Sequence, residues 1–206
     1  MLTSVFSDTQ PMKIGLYFGS FNPIHNGHLI IAQFMLNQAG LDEVWFVVSP
    51  QNPLKSPKDL FPENDRLHMV KLAIDKHSKI KNCDIEFSLP RPSYTSNTLK
   101  ALAVKYPLHE FELIMGTDTL QHLDKWKDYE HILMNYKILT YQREGSLGGE
   151  FAKNQKVKMY KAPAIQLSST YIRGLLRMNK SVRYLMPDAV HEYIISIHSV
   201  QDMVSA

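Results

Sequence analysis

Cysteine is almost missing from this chain: Cys83 is the only one in 206 residues. A single thiol excludes an internal disulfide framework and a cysteine-built zinc site, and it fits a reducing compartment. It reads as a buried or partly buried side chain. A surplus of one charge is missing too. Lys and Arg number 23 against 20 Asp and Glu, a net charge of +3, too slight to coat a nucleic-acid backbone. No nucleic-acid partner is therefore expected, while small anionic substrates stay open. No apolar run approaches the ~20 residues that span a bilayer, so no membrane partner is expected either. The first eleven residues, MLTSVFSDTQP, have neither the basic start nor the apolar stretch of a signal peptide. They read as a loose extension, and a cytoplasmic protein is expected. Repeats and low-complexity tracts are absent as well.

What is present is a chain with 44% apolar residues, enough for one substantial core. Residues 12–206 read as a single domain with a small C-terminal helical portion from about residue 168. Short apolar runs rich in branched or aromatic residues mark buried parallel strands: KIGLYFG (13–19), EVWFVVS (43–49), FELIMG (111–116) and YKILTY (136–141), with a weaker VKMYKA (157–162). Helical spacing lies between and after them. Leu99, Leu102, Ala103 and Tyr106 fall at i, i+3, i+4 and i+7, as do Val190, Tyr193, Ile194 and Ile197. The alternation predicts an α/β fold, a doubly wound, Rossmann-like parallel sheet with helices on both faces and ligands at the carboxyl ends of its strands. The segment QREGSLGGEFAKNQK (142–156) reads as the one extended polar loop.

The stretch LYFGSFNPIHNGHL (16–29) places Gly19 to Gly27 at the first strand-to-helix turn, where free amides and the helix dipole attract anions. It contains neither G-x-G-x-x-G nor a P-loop. His25 and His28, one helical turn apart, can face the same side and donate to phosphate oxygens. Gly27 between them permits close backbone approach. Standing alone, such a pair is more often a surface or satisfied core feature. A second anion site lies in QLSSTYIRGLL (166–176), where Ser168, Ser169 and Thr170 precede a helix with Arg173 in its first turns. Hydroxyls, free amides and a guanidinium fork make a phosphate clamp.

GSFNPIHNGHL together with the distal SSTYIR closely resembles the H-x-G-H nucleotidyltransferase superfamily. The segments NPLK (52–55), PSYTSNTL (92–99), GTDTL (116–120) and KW (125–126) extend the likeness to the bacterial nicotinate-mononucleotide adenylyltransferases, from Met12 to about His198. The resemblance implies transfer of an adenylyl group from ATP to nicotinate mononucleotide, giving nicotinate adenine dinucleotide and pyrophosphate in NAD biosynthesis. It implies catalytic roles for His25, His28 and Arg173. ATP would be met by Gly19, Ser20, Phe21, His25, His28, Gly116, Asp118, Ser168, Ser169 and Arg173. Nicotinate mononucleotide would be met by Lys55, Tyr94, Thr95 and Trp126, the indole stacking on the pyridine and the amides around Thr95 receiving its carboxylate. Asp118 would lie near a ribose, or else cap a helix. Mg²⁺ would be bound through the ATP phosphates, with no metal site built by the protein. A homo-oligomer is left open.

Two positions depart from the family pattern. The common Pro-Pro-His-Lys loop reads NPLK here, so Leu54 stands where many relatives have histidine, and Ser20 stands where threonine is commoner. Phosphopantetheine adenylyltransferase shares the histidine logic but is shorter and lacks the PSYT and tryptophan elements. Cytidylyltransferases match less well. Class I aminoacyl-tRNA synthetases need a lysine-rich loop and appendages that this chain lacks. A nucleotide sensor without turnover is the non-enzymatic alternative, distinguished by pyrophosphate release.

Overall fold

The computed structural model describes residues 10–53 and 60–204, with side chains to residue 197. Six strands form one all-parallel sheet: β1 (Lys13–Gly19), β2 (Glu43–Val48), β3 (Ile80–Cys83), β4 (Glu110–Gly116), β5 (Lys137–Tyr141) and β6 (Val157–Tyr160). Their spatial order is β3-β2-β1-β4-β5-β6. The chain runs outward from β1 to one edge, then returns to its other side, so β1 and β4 flank the point where the winding reverses. Ligands of doubly wound sheets collect at such a point.

The helices are α1 (Asn26–Gln38), α2 (Glu63–Ile74), α3 (Thr95–Lys105), the single turn α4 (Thr117–Leu120), α5 (Tyr129–Asn135), α6 (Ser169–Arg177) and α7 (Asp188–Val204). The period-two alternation of strand side chains divides the core in two. Tyr17, Val44, Phe46, Val48, Ile114 and Leu139 pack under α1, α2, α6 and α7. Ile14, Leu16, Trp45, Val47, Leu113 and Ile138 pack under α3 and α5. Both sheet faces are covered, which is why the strands read as continuous apolar runs.

The strand at 157–162 is present but ends at Tyr160. β3 was not visible in the sequence pattern: IKNC is four residues long, lies at the sheet edge, and carries Lys81 and Asn82 between buried Ile80 and Cys83. Burial pushes the Cys83 thiol up to about 11. The segment 142–156 is not a plain loop, since Arg143 bridges Ser146 and a 3₁₀ turn covers Glu150–Lys153. Of the proposed N-terminal extension, residues 1–9 lie outside the described residues, as do Leu54 and Lys55 of the NPLK loop. None of the described helices is long and apolar enough to cross a membrane.

Candidate active site

The carboxyl ends of β1, β4 and β5 open into a cavity of about 1160 Å³. On its floor, the hydroxyls of Tyr17 on β1 and Tyr141 on β5 share a buried hydrogen bond of 2.8 Å. Burial raises the pKa of both phenols, first among its causes, so the pair stays neutral.

The turn from β1 to α1 forms one wall. His25 is the cap residue of α1, in extended backbone, and His28 is its third helical residue. The backbone N–H of His25 donates to Nδ1 of His28 at 3.2 Å. A nitrogen that accepts carries no proton, so the neutral His28 ring carries its proton on Nε2, as the remaining donor. The two imidazoles stack with centroids 3.7 Å apart. His25 is only 4% exposed, and its Nδ1 has no hydrogen-bond partner among the described residues. Burial, with the positive charge of Arg143 second, lowers its pKa to about 4. Gly27 is explained by this stack: a Cβ there would lie 3.0 Å from the His25 ring. Ser20 and Phe21 are buried in the same turn, and Phe21 adopts a positive φ of 44°, strain that a packed surround must hold.

The opposite wall arrives from the far end of the chain. Ser168 caps α6, its Oγ accepting from the Tyr171 N–H at 3.1 Å. The helix begins at Ser169, two residues earlier than expected from a Ser168-Ser169-Thr170 lead-in. Ser169 and Thr170 therefore lie inside the first turn, and the Ser169 hydroxyl donates to the Pro23 carbonyl at 2.9 Å. Arg173 donates from Nη1 to the Asn22 carbonyl at 2.9 Å and from Nη2 to Thr170 Oγ1 at 3.4 Å. The distal motif thus grips the H-x-G-H turn itself while Ser168, Ser169 and Arg173 line the cavity.

Beyond β4, Gly116 leads into α4. A side chain at Gly116 would collide with the Asp118 carboxylate and with Arg143. Asp118 is the second residue of α4 rather than its cap, and its Oδ1 accepts from the Thr119 N–H at 3.0 Å. Its other oxygen lies 3.7 Å from Nε of Arg143. Arg143 was not singled out in the sequence, where it sat in an apparent loop. Here its backbone N–H donates to Thr117 Oγ1 at 2.8 Å and its guanidinium lines the cavity.

The remaining side is aromatic. Tyr94 precedes α3, which Thr95 opens, and both line the cavity with half-buried Trp126. Tyr94 makes no side-chain cap, and the amides of Thr95 and Ser96 have no protein acceptor among the described residues. The ammonium of Lys127 lies 4.9 Å above the Tyr94 ring. The structure therefore brings every proposed site residue except Lys55, which lies outside the described residues, to one cavity.

This arrangement can hold a polyphosphate between two turns and a flat ring beside Trp126. The family model for cytidylyltransferase-like proteins matches residues 16–175. The chain is 50% identical over 185 residues to the probable nicotinate-nucleotide adenylyltransferase of Flavobacterium psychrophilum, covering 89% of this chain and 96% of that one. It belongs to the nicotinate-nucleotide adenylyltransferase family. Identity to the family's Bacteroides thetaiotaomicron member, also named probable, is 42%, over 91% of this chain and 93% of that one. The fold also matches the Plasmodium falciparum nicotinic acid mononucleotide adenylyltransferase complexed with NaAD, with a TM-score of 0.76 at 21% identity, over 90% and 96% of the two chains. The nicotinate-nucleotide adenylyltransferase family is thus carried here on the strand order 3-2-1-4-5-6.

Proposed function

We propose that the chain transfers the adenylyl group of ATP to nicotinate mononucleotide, releasing pyrophosphate. The observation that carries this reading is the meeting of the two phosphate-binding turns: α6 bonds the carbonyls of Asn22 and Pro23 beside His25 and His28, and both motifs line one cavity.

An oxygen of the acceptor 5′-phosphate attacks the α-phosphorus of ATP, forming one P–O bond while the bond to the α,β-bridging oxygen breaks. The electron pair leaves on pyrophosphate. The acceptor phosphate is already ionised, so the protein needs no general base, and its task is alignment and charge neutralisation. In this reading His28 donates to the α-phosphate as charge develops, and neutral His25 supports its ring. Arg173 and the start of α6 take the β- and γ-phosphates. Asp118 accepts hydroxyl hydrogens of a ribose, and Arg143 fixes its carboxylate while adding positive charge. Trp126 stacks on the pyridine, and the open amides of Thr95 and Ser96 receive the nicotinate carboxylate.

No three His, Cys, Asp or Glu side chains form a metal-binding group among the described residues. The donors His28, Arg173 and the start of α6 face anions, which fits an ion that enters on the triphosphate, held by phosphate oxygens and water. Mg²⁺ so bound would neutralise charge on the phosphates.

Product analysis tests the reading. Incubated with MgATP and a panel of phosphorylated acceptors, the protein should release pyrophosphate with nicotinate mononucleotide and form the dinucleotide. Release with phosphopantetheine instead, or binding without release, would overturn it.

A further inference from the structure

Arg66 is the largest fully buried side chain among the described residues, 1% exposed, although it is charged and lies in the polar-looking run ENDRLHMVK. No ion pair reaches it among the described residues. Each of its three guanidinium nitrogens donates to a backbone carbonyl. Nε donates to Phe61 at 3.0 Å, Nη1 to Ser20 at 2.7 Å and Ser49 at 2.8 Å, and Nη2 to Pro50 at 2.7 Å. A buried cation survives only with its donors satisfied, so these four carbonyls are held in one place by one rigid fork.

The four acceptors belong to different parts of the site. Ser20 is in the phosphate-binding turn after β1. Ser49 and Pro50 follow β2, and Phe61 precedes α2. The two loops are joined further: Ser49 N–H donates to the Gly19 carbonyl at 2.9 Å, and Phe61 N–H donates to Asn22 Oδ1 at 2.8 Å. The link also runs outward, because Ser93 N–H donates to the Gln51 carbonyl at 2.9 Å, two residues before Thr95. One guanidinium therefore stands behind both the phosphate turn and the approach to α3.

We infer that Arg66 is a positioning residue for the reaction: it touches no substrate, and it sets the distance between the phosphate-binding turn and the segment that leads into α3, where the Thr95 and Ser96 amides lie. This rests on the adenylyl-transfer reading above. Lysine keeps the charge but offers one ammonium in place of a planar fork, and cannot span carbonyls of two loops in the same geometry. The two reacting groups then meet less often in line, and misplacement of about 1 Å costs up to about a hundredfold in rate.

The test compares Arg66→Lys and Arg66→Gln with Val44→Ala, a core substitution near the amino end of β2 that does not line the cavity, all assayed well below their melting temperatures. Both Arg66 variants should lower kcat by about tenfold or more and raise KM for nicotinate mononucleotide more than KM for ATP. Val44→Ala should lose stability with parental kinetic constants. Arg66 variants that melt early yet keep the parental kcat and both KM values would overturn the inference. Should neither variant fold, the side-chain NMR signals of Arg66 in the parent protein give the answer. They should exchange slowly with water and shift when nicotinate mononucleotide is added, and signals unmoved at saturation would overturn it. Absence of pyrophosphate release by the parent would instead count against the reaction itself.

Discussion

At the phosphate end of the cavity Ser169, Arg173 and His28 are bonded to the turn they serve, whereas at the acceptor end the Thr95 and Ser96 amides have no protein acceptor among the described residues. Arg173, Ser169 and His28 each hold part of the β1–α1 turn. The Thr95 and Ser96 amides, by contrast, open α3 without a side-chain cap, and Trp126 lines the same cavity. The difference matches what each end must recognise. Polyphosphate carries charge in every direction and is served by rigid, preorganised donors that need no rearrangement when charge develops. A planar ring with one carboxylate is chosen by a few donors that only the right substituent can satisfy.

The sharpest test of the phosphate end is His28→Ala. It should lower kcat by about a hundredfold or more in a folded protein, since one preorganised donor at developing charge is worth about 3 kcal/mol. Steady-state pyrophosphate release measures this, and near-parental turnover would break the distinction between the two ends.

A second test concerns His25. Its folded pKa of about 4 lies below the ordinary 6.5. Between those values the unfolded chain binds a proton that the folded chain refuses. Stability is therefore unaffected by this group above pH 6.5 and falls as pH drops towards 4, by about 3 kcal/mol in all. Denaturant unfolding of the parent and of His25→Asn across this window should give converging curves. Parallel curves would mean that the ring is not held neutral.

The acceptor end is probed by substrate choice. With Trp126 under the pyridine and amides facing its substituent, a carboxylate satisfies both donors, while the NH₂ of an amide would confront one. That clash leaves two groups unpaired, the protein N–H and the substrate NH₂, which amounts to a preference of about a hundredfold in kcat/KM for nicotinate over nicotinamide mononucleotide. Equal rates would show that the open amides play no part.

Arg173→Ala should have the smallest effect of the set. Removing a charged contact worth about 2 kcal/mol raises KM for ATP about thirtyfold, with little change for the acceptor. An unchanged ATP titration would confine the guanidinium to its bond with the Asn22 carbonyl.

The sequence was most readable where function depends on neighbouring residues. H-x-G-H at the end of an apolar run, and SSTYIR before an amphipathic helix, each carry their chemistry within a few positions, and both reach the cavity. The long central strands were equally plain because both their faces are buried. β3 was not, since its short, half-polar edge strand lacks that pattern. Arg66 and Arg143 escaped notice for another reason. Arginine in a charged helix or a polar loop ordinarily faces water, and what makes these two different is partners brought close only by folding, such as Ser20, 46 residues from Arg66.

The grip of α6 on the first turn also has a meaning in time. Ser169 bonds Pro23 across 146 positions, and Asn26 bonds Tyr184 across 158. A ribosome adding ~5–20 residues per second needs roughly 7–30 s to make the first of those spans. During that interval the histidine turn exists without the wall that completes it. The nascent chain should therefore acquire its nucleotide pocket only once α6 has been made, so that a chain released before Ser169 cannot hold ATP between the two turns.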